Sequence, residues 1–298
     1  MESKALRYFC EVARCGSFTR AAHALGVAQS AMSMAIKRLE ESLGLQLFHR
    51  LERHISLTDE GEQLYQYART IVQGLEHAQL AMEELRGLNH GLVRVGVTGM
   101  LGSYYFPPLL MAFRHQYPGI RLSIIDSGAQ ELQRMLEQGE LDLAFIVSDQ
   151  VPVSLEATAI LRWQMVAVVN REHAFAELSC VPIERFLEEE LVVFKPGYFH
   201  RRTIDQMAAT VGIEPNISME TNLIQLLKSF VRSGFGISSF LSIVVEDEED
   251  LLAIPFAEPF WLNIHLAWRK EGYLSVANCA FRDFIIDNTL SDRQKMLS

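Results

Sequence analysis

The chain has 298 residues, of which 49% are hydrophobic and 21% are charged, and its formal net charge is −10. This length allows two or three domains, each with its own core, and the composition is that of an ordinary soluble protein. Residues 95–113 carry no charge, but three glycines and the pair Pro107-Pro108 interrupt them, which argues against a membrane-spanning helix.

The charges divide unevenly along the chain. Residues 1–58 hold 8 Lys+Arg and 5 Asp+Glu, whereas residues 59–298 hold 19 and 32. A mildly basic N-terminal region attracts DNA, whereas an acidic body repels it. The negative net charge therefore does not exclude a DNA-binding protein.

The cysteines show no C-x-x-C spacing, so neither a zinc site nor a redox pair is indicated. Reduced thiols fit a cytosolic protein. The first eleven residues include charged side chains at positions 2, 4, 7 and 11, which leaves no room for the apolar core of a secretory signal. We expect a cytoplasmic protein that uses no metal and no cofactor.

Three helices are predicted at the N-terminus, over residues 2–15, 18–25 and 28–43. Ser17 is a suitable N-cap for the second helix, and Gly26 supplies the following tight turn because glycine adopts positive φ without steric cost. The third helix carries apolar residues spaced 4, 3 and 4, which predicts one buried stripe: Met32, Ile36, Leu39 and Leu43. Its other side presents the short polar or basic groups that a recognition helix offers to a major groove: Gln29, Ser30, Ser33 and Lys37.

Residues 47–50 and 53–57 alternate like the two arms of a short β-hairpin. Arg50, Arg53 and His54 lie at its tip, where contacts with phosphates would fix the register of the protein on DNA. A solvated turn is the alternative interpretation of these three residues. The helices beside the hairpin favour DNA contact.

A long helix is predicted after Thr58, which can cap it, with Asp59 and Glu60 in its first turn. Its apolar residues are spaced alternately by four and three, the pattern of a coiled-coil seam: Leu64, Ala68, Ile71, Leu75, Ala78, Met82 and Leu85. This stripe predicts dimerisation, because a palindromic DNA site needs a two-fold partner. Packing against the chain's own body is the alternative.

From residue 92 onward, strand-like and helical segments alternate, which predicts a parallel sheet with covered faces. The strands of this sheet are expected at residues 92–97, 120–125 and 141–147, with helices near 104–116 and 129–138. A second sheet is expected from residues 166–169, 191–194 and 236–240, with helices near 200–211 and 222–233. A strand at 262–268 and a helix at 276–288 close the chain. The acidic run at 246–250 is interpreted as a solvated surface.

Four segments of the N-terminal region resemble the signature of the LysR-type transcriptional regulators: LGVAQSAMS at 25–33, IKRLE at 36–40, LGLQLFHR at 43–50 and LTDEG at 57–61. The resemblance implies an α/β protein with a winged helix-turn-helix at 1–58, a linker and dimerisation helix at 59–90, and an effector-binding domain at 91–298. That domain would have a type 2 periplasmic-binding-protein-like fold. Subdomain I would comprise 91–162 and 268–298, subdomain II would comprise 163–267, and crossover strands would lie near 161–164 and 266–269.

The resemblance also implies the partners of the chain. These are double-stranded DNA with an interrupted palindrome, a small-molecule effector, RNA polymerase, and further copies of the chain in a dimer or tetramer. The expected DNA contacts come from the third helix and the hairpin: Gln29, Ser30, Ser33, Met34, Lys37, Arg38, Arg50, Arg53 and His54. Met34 and Ala35 stand where the family commonly has polar side chains, so the operator sequence does not follow from the resemblance.

Two loops, at residues 96–103 and 195–202, run into predicted helices and would face each other across the cleft between the subdomains. Backbone N–H groups at a helix start favour an anionic group. Met100 stands where the family often has a hydroxyl, and with Tyr198 and Phe199 it favours an apolar or aromatic ligand body. We therefore predict a small organic acid as effector.

The residues expected to line the effector site lie in these loops and at neighbouring strand ends: Thr98, Gly99, Met100, Ser103, Ser127, Gly128, Ser148, Gly197, Tyr198, Phe199, Thr221 and Asn222. Each of them could instead satisfy backbone groups of its own loop.

Enzyme functions receive no support from motifs. The sequence contains no G-x-S-x-G and no H-E-x-x-H, and the loop at 96–103 lacks the G-x-G-x-x-G order. The alternative to a regulator is a soluble small-molecule-binding protein or enzyme on the α/β domain, with an N-terminal head that serves only in oligomerisation. The winged helix-turn-helix pattern favours the regulator.

Overall fold

The computed structural model describes residues 2–51, 54–85, 91–147 and 151–296. The chain divides into two compact units, Met1–Leu88 and Asn89–Ser298. Two residues with a predicted role, Arg53 and Ser148, lie outside the described residues, and so does the end of the linker at residues 86–90.

The first unit begins with three helices, α1 (Ser3–Cys15), α2 (Phe18–Ala24) and α3 (Gln29–Leu43). Ser17 caps α2 by accepting a hydrogen bond from the backbone N–H of Arg20 at 3.4 Å, and Gly26 has a φ of 63° in the turn before α3. Both features match the prediction. The predicted stripe of α3 is buried at its first three positions only. Leu43 is 38% exposed, because the helix ends there and turns away at Gly44.

A short hairpin of β1 (Phe48–Leu51) and β2 (His54–Leu57) follows, with Phe48 opposite Leu57 in an antiparallel pair. The long helix α4 (Asp59–Leu85) then begins. The hydroxyl of Thr58 accepts from the backbone N–H of Gly61 at 3.0 Å and donates to the carbonyl of Gln46 at 2.7 Å. Thr58 thus caps α4, as predicted, and also ties it to the segment before the hairpin.

The predicted seam of α4 has two different environments. Ala68 is buried and Leu64 is half-buried, and both pack into the core of the first unit with Phe9 and Tyr8 of α1. This part follows the alternative of packing against the chain's own body. Further along, Ile71, Leu75 and Met82 are 42%, 45% and 57% exposed. The side chain of Leu85 lies outside the described residues.

The second unit contains a six-stranded sheet in the order β4-β3-β5-β10-β6-β9. Its strands are β3 (Gly91–Val97), β4 (Ile120–Asp126), β5 (Leu143–Val147), β6 (Leu155–Asn170), β9 (Ser238–Leu241) and β10 (Leu251–Arg269). A small parallel pair consists of β7 (Leu191–Val193) and β8 (Ile217–Glu220). The helices are α5 (Gly99–Tyr104), α6 (Phe106–Gln116), α7 (Ala129–Glu137), α8 (Ile183–Glu188), α9 (Phe199–Val211), α10 (Ile224–Arg232) and α11 (Val276–Met296).

The two long strands β6 and β10 change the predicted sheet arrangement. They pair antiparallel along almost their whole length and run through the region where two separate sheets were expected. The segment 166–169 belongs to β6 and pairs with β9, whereas 191–194 contributes β7, which pairs with β8. Within the six-stranded sheet, β3 pairs parallel with β4 and with β5, whereas the other pairs are antiparallel, so this sheet is mixed.

Both long strands also pair with shorter strands. Strand β6 pairs with β9 from Met165 onward, and β10 pairs with β5 from Ile264 onward. The crossings expected near 161–164 and 266–269, and the subdomain bounds, stay predictions. We call the part with α5, α6 and α7 around β3, β4 and β5 one lobe, and the part with α8, α9 and α10 around β7 and β8 the other lobe.

Two further predicted elements differ in detail. The helix expected near 104–116 is α6, which begins at Phe106 with prolines in its first turn, and a short separate helix, α5, occupies most of the segment predicted as the loop at 96–103. The strand expected at 141–147 begins only at Leu143, since the Asp142 carboxylate accepts from the backbone N–H of Arg94 at 2.8 Å. Within the described residues, no helix is long and apolar enough to cross a membrane.

Candidate functional site

The outer side of α3 carries the side chains predicted to contact DNA. Gln29, Ser30, Lys37 and Arg38 are exposed, and Ser33 is half-buried. Lys37 lies 3.7 Å from Glu41 one turn later, which leaves its ammonium group at the surface. These polar groups share the helix with the buried Met32, Ile36 and Leu39, so packing fixes which side faces outward.

The start of α3 adds a feature that the sequence analysis missed. Ala28 precedes the helix in an extended conformation and offers no side chain to cap it. The cap position therefore supplies no side-chain acceptor to the first-turn N–H groups of α3, which suits contact with a phosphate. The absence of Ser, Thr, Asp or Asn at position 28 was visible in the sequence.

The hairpin lies between α3 and α4 in the first unit, with Arg50 opposite Ile55 and Leu51 opposite His54. The backbone of the two strands is described, but the side chains of Arg50 and His54 and the whole of Arg53 are not. Phosphate contacts by these three residues remain predictions.

A cavity of about 210 Å³ opens in the second unit, where the start of α5 meets the starts of α9 and α10. We call it the Thr98 cavity. Six of the predicted effector residues line it: Thr98, Gly99, Met100, Ser103, Tyr198 and Asn222. Its remaining lining includes Asp126, Phe194, His200 and Gln225, which the sequence analysis did not single out.

Two buried polar atoms lie in the wall of the Thr98 cavity. The Thr98 hydroxyl and Nδ1 of His200 have no hydrogen-bond partner among the described residues, although both side chains are almost completely buried. The other ring nitrogen of His200 lies 2.9 Å from the sulfur of Met100. Burial holds the pKa of His200 well below its usual range, so the ring is neutral. Unpaired buried polar groups are costly, and a ligand that bonds to them removes the cost.

Asp126 places a carboxylate in the same wall. Burial raises the pKa of Asp126 above its usual range, and a hydrogen bond from the backbone N–H of Gly99 acts in the opposite direction. The pKa of Tyr198 is also raised, first by burial and then by the nearby charge of Asp126. Acidic and aromatic groups therefore meet in this cavity.

A second cavity, of about 190 Å³, lies beside the first and shares Tyr198 with it. We call it the Arg202 cavity. Gly197, Tyr198 and Phe199 are the predicted effector residues in its lining, together with Arg201 and Arg202 at the start of α9. Arg201 pairs with Asp205 at 2.9 Å and with Glu220.

Three predicted effector residues line neither cavity. Gly128 lies under the loop before α9, where an added Cβ would come within 2.8 Å of the Gly197 carbonyl oxygen. Ser127 uses its backbone N–H on the carbonyl of Val97, and Thr221 accepts from the backbone N–H of Leu223 at 3.2 Å. These local contacts are compatible with the alternative interpretation of the loop residues, and a role of the three residues in effector binding stays a prediction.

Asp126 and His200 could have been found from the sequence only in part. Asp126 ends a strand next to the predicted pair Ser127-Gly128, so the strand-end argument extends to it. His200 lies inside the loop at 195–202, but its burial depends on Met100, which is distant in the chain. Within the described residues, no group of three or more His, Cys, Asp or Glu side chains lies close enough to hold a metal ion.

Family models match both units. The bacterial regulatory helix-turn-helix protein model of the LysR family matches residues 3–62, and the LysR substrate binding domain model matches residues 86–289. Together they cover the hairpin, the start of α4 and both cavities.

Individual relatives match nearly the whole chain. The chain is 31% identical to the uncharacterized HTH-type transcriptional regulator YcgK of Bacillus subtilis, over 95% of this chain and 93% of that protein. It is also 31% identical to the RuBisCO operon transcriptional regulator of Allochromatium vinosum, over 94% of each.

Solved structures share the fold. A full-length variant of OxyR from Pseudomonas aeruginosa superposes with a TM-score of 0.76 at 21% identity, over 97% of this chain and 94% of that one. Full-length CbnR in complex with its target DNA superposes with a TM-score of 0.67 at 22% identity, over 97% and 100%. The family is one of regulators and not of enzymes, and the chain belongs to it: it is a LysR-type DNA-binding transcriptional regulator with a helix-turn-helix head and an effector-binding domain.

Proposed function

We propose that two copies of this chain bind an interrupted palindrome in DNA through α3 and the hairpin, and that a small organic acid in the second unit controls the regulator. Contact with RNA polymerase and assembly of dimers into a tetramer are part of the proposal and rest on the family assignment alone. The buried Thr98 hydroxyl and His200 nitrogen, both without partners in a cavity wall, carry the effector part.

The DNA part is supported by the outer side of α3. Its polar side chains are exposed at the start of the helix, and its first-turn N–H groups have no side-chain cap. Side chains of this kind read base edges, while lysine, arginine and N–H groups contact phosphates. A gel-shift experiment with fragments from upstream of the chain's own gene tests this part. We expect a sequence-selective shift that weakens as salt rises, and a shift that does not depend on sequence would contradict it.

The dimer is supported by the exposed part of the α4 stripe. Ile71, Leu75 and Met82 present apolar surface at seam spacing on a helix whose other end is already packed into the head. Leu75→Glu should weaken the dimer, because it places a charge where the partner helix would pack. Gln66→Glu, on the opposite side of α4, is the matched control. Sedimentation velocity measures the association of both variants. If they associate equally, the exposed stripe of α4 is not the dimer interface.

The effector part is supported by the chemistry of the two cavities. The start of α9 and the guanidinium groups of Arg201 and Arg202 suit an acidic group, whereas Met100, Tyr198 and Phe199 suit an apolar body. A ligand shifts the regulator between two arrangements only if it binds them with different affinities. An acid held between the two lobes contacts both of them. Because these contacts change when the lobes move, its affinity differs between the two arrangements.

Thermal-shift screening of the full chain against carboxylate metabolites tests the effector part. A ligand that binds the folded state raises the melting temperature by mass action. Thr98→Val should abolish the shift, because it removes the hydroxyl from the cavity wall. Thr210→Val is the control, since Thr210 lies on the exposed part of α9 and bonds only within that helix. If only sugars or only cations raise the melting temperature, the proposal of an organic acid as effector is contradicted.

A further inference from the structure

Asp126 lies at the end of β4, level with Val97 at the end of β3. Its carboxylate abuts the start of α5, where a Cβ added to Gly99 would come within 3.1 and 3.3 Å of the two carboxylate oxygens. The glycine at position 99 leaves room for this approach. The carboxylate also lines the Thr98 cavity, so a ligand in that cavity meets a negative group of the protein itself.

No lysine or arginine is among the described residues that line the Thr98 cavity. His200 contributes no charge, because its complete burial keeps the ring neutral. The other lining groups are apolar, aromatic, hydroxyl or amide groups. A ligand carboxylate directed at Asp126 would therefore meet a like charge with no cation in the wall to offset it, and such a contact is disfavoured.

The cations of this region line the neighbouring Arg202 cavity, beyond Tyr198. The two cavities thus suit different polar groups of one ligand. Asp205 also lines the Arg202 cavity, but it is paired with Arg201, so the guanidinium group of Arg202 is the cation that an acidic group of the ligand would meet. A hydrogen-bond donor instead fits the Thr98 cavity, where Asp126 accepts. Tyr198 lines both, and its ring can lie along the body of a ligand that reaches from one to the other.

We propose that Asp126 determines effector specificity: it selects acids that carry a hydroxyl or amino group apart from the carboxylate, and it disfavours acids without such a donor. This inference rests on the proposed acid effector and narrows it to hydroxy and amino acids. The hydroxyl or ammonium group donates to Asp126, and the carboxylate lies toward Arg202.

Matched sets of acids test the proposal with the full chain. One set is pentanoate, 5-hydroxypentanoate and 5-aminopentanoate, and the other is 3-phenylpropanoate, 3-(4-hydroxyphenyl)propanoate and 3-(4-aminophenyl)propanoate. Within a set, only the hydroxyl or amino group changes. In isothermal titration, we expect the donor-bearing members of the set that binds to have dissociation constants about tenfold lower than the plain acid, the size of a hydrogen bond to a charged group.

Asp126→Asn keeps the shape and an acceptor oxygen but removes the charge, so we expect it to reduce this preference to that of a neutral hydrogen bond. Glu131→Gln is the matched control, since Glu131 carries the same charge on the exposed side of α7, paired with Arg134 and outside both cavities. The control should keep the wild-type preference. Melting curves without ligand establish whether both variants fold. If Asp126→Asn does not fold, the comparison of acids within each set, made with the wild-type protein, still tests the proposal.

Equal affinity for plain and donor-bearing acids in the wild type, or an unchanged preference in a folded Asp126→Asn variant, overturns the role of Asp126 and leaves the acid effector standing. Binding of none of the acids to either protein contradicts the acid class and this inference together. A DNA-binding assay on the same preparation shows whether the regulator itself is functional, so that a negative binding result with the acids is not mistaken for an inactive protein.

Discussion

The outer side of α3 and the Thr98 cavity are the two regions to which we assign the proposed functions, and they are built in opposite ways. The first comes from one helix, and its polar residues follow from the period of a single buried stripe. The second combines the ends of β3 and β4 with the starts of α5, α9 and α10. A surface on one helix depends on local spacing, whereas a cavity depends on how distant segments pack.

The two regions also rest on separate cores. The head has one apolar cluster around Phe9, Ile36 and Phe48, and the second unit has larger clusters on both sides of its sheet. A small core stabilises its unit less, because less apolar surface is buried per residue. Since the two cores are separate, damage to one of them should abolish one function and spare the other.

The largest expected effect tests this separation directly. Phe9 is fully buried and packs its ring against Phe48 and Tyr65, so Phe9→Ala should destabilise the head by about 3–5 kcal/mol. DNA binding should disappear while the second unit still melts cooperatively in calorimetry. Phe281→Ala, in the core of the second unit, should show the reverse. Loss of both transitions in either variant would show that the units do not fold separately.

The second prediction concerns a link between the lobes of the second unit. Lys228 of α10 is buried and donates to the Tyr104 hydroxyl at 3.1 Å, to the Val244 carbonyl at 3.3 Å and to Glu248. Lys228→Met should cost about 3 kcal/mol, because it removes the buried donor from the Tyr104 hydroxyl and the Val244 carbonyl and leaves Glu248 with Arg232 as its only cation partner among the described residues. Chemical denaturation measures the loss, with Lys270→Met at an exposed position as control. Equal stability of the two variants would show that the link is dispensable.

The same link predicts a dependence on acid. The pKa of Glu248 is held below its usual value of 4.5, first by the hydrogen bond from Lys228. A lowered folded-state pKa stabilises the protein above the unfolded pKa, and this contribution is lost as the pH falls below about 4.5 and through the folded pKa. Lys228→Met should reduce the loss over this range. Residues 246, 247, 249 and 250 are exposed, as the interpretation of this run as a solvated surface predicts, and Glu248 is half-buried in ion pairs with Lys228 and Arg232.

A smaller effect tests the outer side of α3 alone. Gln29→Ala should weaken discrimination between operator and altered operator by about 1–3 kcal/mol, because it removes a side chain that reads a base. Arg38→Ala should instead weaken binding to all sequences about equally and flatten its salt dependence. Fluorescence anisotropy with both DNAs measures these changes, and Gln63→Ala on α4 serves as the control. Unchanged discrimination in Gln29→Ala would remove α3 from base reading.

The smallest predicted effect concerns the join between the head and α4. Thr58→Ala removes two hydrogen bonds at the start of α4 and should lower the stability of the head by about 1–2 kcal/mol. Thr70→Ala is the control, because its hydroxyl is exposed and bonds only within α4. The melting temperature of the first unit measures both. A larger loss for Thr70→Ala would contradict the capping role.

What the sequence determined by itself is mostly local. The cap at Ser17, the turn at Gly26, the buried stripe through Met32, Ile36 and Leu39, and the start of α4 at Thr58 follow from spacing within one or two helical turns. Such features depend on backbone hydrogen bonds and one apolar face, which neighbouring residues supply.

Tertiary structure decided the rest, because burial and charge environment depend on segments far apart in the chain. The stripe of α4 divides between head core and exposed surface only because α1 covers its first part. One long antiparallel pair, β6 with β10, joins what local patterns separated into two sheets. His200 is a buried neutral ring and Asp126 a carboxylate in a cavity wall only because the segments around them meet. No periodicity in the sequence specifies that packing.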